Sequence, residues 1–107
     1  MITCNNKTIS TKERICSSFW SQARGLMFRK KQNLIMIFPE EKKISLHMFF
    51  VFYPIDVLLL NEKKEIIEIK KKLKPFTIWK GKEKAKYCIE LSSPAHYNPS
   101  DKIRFKA

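Results

Sequence analysis

Glycine is nearly missing from this chain, with two in 107 residues, Gly25 and Gly81. Few backbone positions can therefore take a positive φ cheaply, so each of the two marks a turn, a helix end or a close approach of the backbone to a neighbour. Cysteine is scarce and unpatterned. Cys4, Cys16 and Cys88 make an odd number without C-x-x-C spacing, which argues against a disulfide framework or a zinc ribbon and fits a reducing, cytoplasmic setting. The two histidines add no ligand spacing, and no metal or other cofactor is expected. The start, M-I-T-C-N-N-K-T, lacks the basic region and apolar run of a signal peptide. No membrane span is expected either: the densest apolar stretch, Ser45 to Asn61, is broken by His47, Pro54 and Asp56, whereas a crossing helix needs about 20 apolar residues.

Positive charge is what the chain has in excess. Its 22 Lys and Arg outweigh 10 Asp and Glu, for a net +12. Cut after Tyr53, the first part holds 9 basic and 3 acidic residues and the second 13 and 7, so each carries +6 and there is no basic tail. Such a surface adheres to polyanions at low salt by counterion release, with nucleic acid the obvious candidate, although a lysine-rich surface can also simply face water. With 44% hydrophobic residues, residues 1–107 read as a single domain able to build one core unaided.

Taken in order, the pattern predicts an α+β domain: one short helix near the start and about six short, mainly antiparallel strands, in a sheet or a small wrapped barrel, the burial expected on both faces of Leu46 to Tyr53 suiting a closed or wrapped sheet. Thr8 to Ile15 reads as an edge strand. Ser17 or Ser18 can cap a helix carrying Phe19, Ala23 and Leu26 on one face, and Gly25 can end it. Asn33 to Phe38 is a nearly all-apolar strand closed by Pro39 and the charged E-E-K-K. Ile44 to Tyr53 then pairs with it as a hairpin. Pro54 breaks the ladder, Ile55 to Leu60 resumes it, and N-E-K-K turns into E-I-I-E-I-K-K-K-L. Tyr87 to Leu91 alternates as a core strand, and Pro99-Ser100-Asp101 turns into a last strand, Lys102 to Phe105.

Five stretches in this order resemble an uncharacterised family, domain of unknown function 192. They are A-R-G-L-M-F-R (Ala23 to Arg29), the apolar strand ending in Phe38 and Pro39, H-M-F-F-V-F-Y-P-I-D-V-L-L-L-N (His47 to Asn61), Y-C-I-E-L (Tyr87 to Leu91) and D-K-I-R-F (Asp101 to Phe105). The likeness runs over nearly all of the chain from about residue 8. It implies a mainly antiparallel β domain with little helix and no enzyme activity, none being established for the family. Many members look exported, whereas this chain resembles the shorter versions without a signal segment. It departs from the family pattern at two places: His47 stands where tryptophan is frequent, which speaks against His47 as a shared catalytic group, and Ser100 stands where glycine precedes the aspartate, which leaves the turn before Asp101 open.

Three functional readings follow from the polar residues. Asp56 lies among Pro54, Ile55, Val57 and Leu58, where a carboxylate needs a cation or several donors, and Arg24 or Arg29 could serve. It then either fixes the turn after Pro54 through structural bonds or belongs, with Arg24 and Glu90, to a cleft for a small polar ligand or peptide in a non-enzymatic binding or accessory protein. A second reading is a sequence-tolerant nucleic-acid binder through the lysine-rich segment 70–86. There Lys80, Lys82, Lys84 and Lys86 would line one face of an extended chain beside Trp79 and Phe76, unless they merely face water with the aromatics turned inward. The third is hydrolysis by paired carboxylates, Asp56 and Glu90. A triad of Cys88, His47 and Asp56 has no nucleophile signature around it.

Overall fold

Ile55 to Leu60 (I-D-V-L-L-L) is apolar at every position but one, as a strand covered on both faces requires. The computed structural model, which describes residues 1–4, 7–10, 13–16, 32–48, 51–92 and 97–105, places it inside a five-stranded sheet. The strands are β1 (Ile2–Cys4), β2 (Lys7–Ser10), β3 (Glu13–Cys16), β4 (Asn33–His47), β5 (Ile55–Leu60), β6 (Ile66–Leu73), β7 (Ile78–Leu91) and β8 (Ile103–Phe105). They form a large sheet ordered β3-β4-β7-β5-β6 and a small one ordered β2-β1-β8. All neighbours are antiparallel except β3 and β4.

Strand alternation sends successive side chains of the large sheet into two cores. Leu34, Met36, Val57, Leu59 and Cys88 enter one, and Ile35, Leu58, Leu60, Ile89 and Leu91 the other. The small sheet covers the second core with Ile2, Cys4, Ile9 and Ile103. The first core is covered by the sheet itself. Leu59 pairs with Cys88, and in a straight strand Gly81 would stand about 23 Å from Cys88 at roughly 3.3 Å per residue. Instead, a Cβ on Gly81 would come within 2.7 Å of Leu59 Cδ1. The outer halves of β4 and β7 therefore bend back as an arm, and Ile44, Leu46, Trp79 and Ala85 pack onto Leu34, Val57 and Leu59. Glu68 on β6 fastens the arm, its Oε1 accepting hydrogen bonds from the amides of Lys82 (2.8 Å) and Glu83 (3.2 Å). Gly81 marks the close approach that its rarity suggested.

The bend revises the hairpin expected between Asn33–Phe38 and Ile44–Tyr53. Asn33–Phe38 and the first part of the second segment, Ile44–His47, belong to one strand, β4, and E-E-K-K lies within it. The β4–β7 register jumps between Ile37 and Lys42 and again between Lys43 and Ser45. Proline has no N–H to give to a ladder, so Pro39 is accommodated in the first irregularity. The strand ends at His47; beyond it Val51 is buried while Phe52 is 65% exposed, so residues 51–53 do not continue a strand covered on both faces. The expected Thr8–Ile15 strand is divided between β2 in the small sheet and β3 in the large one. The described residues thus form eight strands instead of about six, and among them the large sheet does not close, its order ending in two edges. The helix expected before Gly25 lies outside the described residues, as does Arg24; among the described residues there is no helix, and none long and apolar enough to cross a membrane.

The turns match their sequences. Asn61 Oδ1 accepts from the amides of Lys63 (2.9 Å) and Glu65 (3.0 Å), closing the β5–β6 hairpin with Lys64 at φ 63°. Asp101 Oδ2 likewise accepts from the Asn98 amide at 2.7 Å. Within that turn Ser100 sits at φ 73°, the left-handed conformation that glycine adopts without steric cost. Ser100→Gly should therefore raise stability by about 0.5–1 kcal/mol, the relief of strain exceeding the added freedom of the unfolded chain. The check is a higher urea midpoint at an unchanged slope.

Candidate functional site

Asp56 and Glu90 lie at one end of the large sheet, the second residue of β5 and the penultimate residue of β7. The register sets Asp56 opposite Leu91 and Val57 opposite Glu90. Alternation then puts Glu90 on the face of Val57 and Cys88, and Asp56 on the face of Leu58 and Leu91. The two carboxyls point to opposite sides of the sheet. This arrangement does not place them in one cleft, and paired-carboxylate hydrolysis loses its geometric basis.

Asp56 is fully engaged. Between Ile55 and Val57 the β5–β6 register slips, and on the β6 side Lys72 takes φ 53°. The Lys72 amide donates to Asp56 Oδ1 at 2.9 Å. The other carboxylate oxygen, Oδ2, accepts a short hydrogen bond from the buried Tyr97 hydroxyl. Burial, then this bond and the carboxylate's charge, push the Tyr97 phenol well above its usual range, so it remains a donor. The Lys71 ammonium lies 5.3 Å from the centre of the Tyr97 ring. An acid in an apolar strand thus fixes a β-bulge without glycine and ties it to the segment after β7, one strand away from the turn after Pro54 where the sequence suggested such a role.

Glu90 is the opposite case. It is 4% exposed, flanked across the sheet by Leu34 and Val57, and its Oε2 is buried without a hydrogen-bond partner. Burial alone pushes its carboxyl up to about 7. Cys88, two residues earlier on the same face, is also raised, by burial first and then by the charge of Glu90. Neither Cys88 nor Cys4 is prepared as a nucleophile: Cys4, which donates to Asp101 Oδ2 at 3.3 Å, is pushed up to about 11 by burial and then by that carboxylate. Among the described residues no group of three His, Cys, Asp or Glu is placed to hold a metal ion.

The lysine row is interrupted. Lys80, Lys82 and Lys84 are exposed on β7, but Ala85 and Cys88, three residues apart, enter the same core. The break in alternation displaces Lys86, which is half-buried. Trp79 packs into the core beneath the arm, so the exposed aromatic of this segment is Phe76, 50% exposed. Sequence reasoning did not find the Asn33 side chain, which joins three elements. Its Nδ2 donates to Ser10 Oγ at 2.9 Å and its Oδ1 accepts from the Ser92 amide at 2.9 Å. A polar residue at the mouth of an apolar strand was the only signal for it.

Fold and site define a two-sheet, mainly antiparallel β domain in which, among the described residues, one Glu90 carboxyl oxygen is buried without a hydrogen-bond partner. The chain belongs to the DUF192 family, described as uncharacterized ACR, COG1430, whose pattern matches residues 1–97. Among its relatives, the UPF0127 protein of Pyrococcus horikoshii is 38% identical over 84% of this chain and 82% of its own length. The UPF0127 protein of Thermococcus sibiricus is 34% identical over 78% of this chain, and the match spans 56% of that relative. Two crystal structures share the fold. A protein of unknown function from Novosphingobium aromaticivorans superposes with a TM-score of 0.79 at 17% identity, over 87% of this chain and 74% of that one. A protein from Sinorhizobium meliloti described as a putative transcription regulator gives 0.80 at 20% identity, over 86% and 79%.

Proposed function

We propose that this domain is a non-enzymatic binding or accessory protein whose ligand, a small polar molecule or a peptide, brings a hydrogen-bond donor or a positive charge to Glu90. One observation carries the reading: a carboxyl oxygen buried without a partner. Such a group costs stability in the free protein, and a partner that satisfies it gains that cost back as affinity. An amine or amidine would take the proton equilibrium with it, leaving the carboxylate ionised. Asp56, held by Lys72 and Tyr97, is assigned to the scaffold in this reading, not to the ligand.

Thermal-shift measurements at pH 8 against a panel of small amines, amino acids and dipeptides test the proposal. Compounds that raise the melting temperature of the wild type should have little effect on Glu90→Gln. A panel whose stabilising members act equally on both proteins, or which contains none, overturns it.

A further inference from the structure

The outer face of the β4–β7 arm is a second surface, independent of Glu90. Lys43 stands directly opposite Lys84, and Ser45 opposite Lys80. Like charges facing each other across strands repel. Moreover, no lysine among the described residues forms an ion pair within 4 Å. The inner face of the arm is spent on the core through Ile44, Leu46 and Trp79. Ile78, at the start of β7, is 61% exposed on the face of Lys80, and Phe76, two residues before it in the chain, is 50% exposed against Phe52.

The aromatic end is held there at a cost. Phe76 takes φ 60°, a strained conformation for an aromatic residue. It is imposed by hydrogen bonds from the Phe76 amide to Met48 O and from the Met48 amide to Thr77 O, both 2.7 Å. The result presents its ring, edge-to-face with that of Phe52 at 5.5 Å, to water. Exposed aromatics next to unpaired amines make two complementary contacts available to one partner: π-faces for stacking and a line of cations for phosphates. Because the amines run along a strand, at about 6.6 Å per two residues, they match a linear polyanion better than a flat one.

The geometry points to a track for single-stranded nucleic acid on this face, with Lys43, Lys80 and Lys84 along the phosphates and Phe52 and Phe76 against the bases. Recognition is by stacking and charge, and is therefore tolerant of sequence. Trp79 and Lys86 lie outside the track, one turned inward and the other displaced.

Fluorescence anisotropy with a labelled oligothymidylate at physiological salt tests this. The triple variant Lys43→Ala, Lys80→Ala, Lys84→Ala should bind about tenfold or more weakly and lower the salt slope by about 2, as loss of three phosphate contacts on a single strand requires. The control, Lys7→Ala, Lys63→Ala, Lys102→Ala, removes the same charge from exposed positions elsewhere and should change affinity less than about twofold. Phe52→Ser with Phe76→Asn should weaken binding to oligothymidylate about fivefold or more while leaving an abasic strand unaffected; asparagine tolerates the left-handed backbone. Equal losses from the two lysine triples overturn the proposal, because charge alone then accounts for binding. So does a stronger, track-dependent affinity for phosphatidylserine vesicles, which would make the surface a membrane contact.

Discussion

Glu90→Gln should stabilise this protein at pH 8 and leave it unchanged near pH 4. The carboxyl titrates at about 7 in the folded chain against 4.5 for an unperturbed glutamate. Below 4.5 both folded and unfolded states are protonated, and the group costs no more than a neutral amide would. As pH rises from there to about 7, the unfolded chain releases its proton and the folded one retains it, so stability falls across that window and is flat above it. The span, at about 1.4 kcal/mol per unit, sets a loss on the order of 3 kcal/mol. Glutamine cannot ionise, so the variant keeps its low-pH stability at pH 8, a difference of about 10–20 °C in melting temperature for a domain of this size. Wild type and variant melted side by side from pH 4 to 8 give the check. Parallel curves would show that the carboxyl ionises freely within the fold.

Asp56→Ala should do the reverse, costing about 2–4 kcal/mol at neutral pH. The substitution leaves two donors without acceptors: the Lys72 amide, in a left-handed conformation with no glycine to make it cheap, and the buried Tyr97 hydroxyl. Bonds to an ionised acceptor are the stronger kind, and orphaning a buried partner adds its desolvation. Tyr97→Phe should cost less, because it removes one donor and leaves the carboxylate with the other. If the two residues act as one unit, the double variant should lose less than the sum of the singles. Urea denaturation of the four proteins measures the coupling. Additive losses, or an Asp56→Ala protein as stable as wild type, would return Asp56 to the list of residues free to meet a ligand.

Local pattern reached as far as local physics allows. The strand Ile55–Leu60, the Asn61 hairpin and the Tyr87–Leu91 core strand were legible because alternation and turn chemistry are written within a few residues. Pro39 and the charged E-E-K-K misled, because a long strand can absorb them in a bulge when its partner strand bends with it, and that partner lies some forty residues away in the chain. The same limit governed the acids. The sequence marks Asp56 as an acid among apolar neighbours and Glu90 as a carboxylate that could share its cleft, but which face each enters depends on the register of β5 against β7, which no single segment encodes. One slip of that register would have put Asp56 and Glu90 on the same side. Ser100 shows the converse: its departure from glycine left the turn open, and the backbone turned left-handed there all the same because the Asp101 carboxylate and the Ile66 carbonyl hold it.

In the small sheet Ile2 pairs with Phe105, and β1 lies between β2 and β8. On a ribosome, the apolar face made by Leu58, Leu60, Ile89 and Leu91 cannot receive its complete cover until β8 has emerged, although β1 and β2 of that cover are made before the face itself. The nascent chain therefore carries a bare hydrophobic face from the synthesis of β5 until β8 emerges, an interval in which exposed sheet surface is prone to aggregate. A dense coat of mutually repelling lysines is a physical counterweight to that hazard, whatever else those lysines bind.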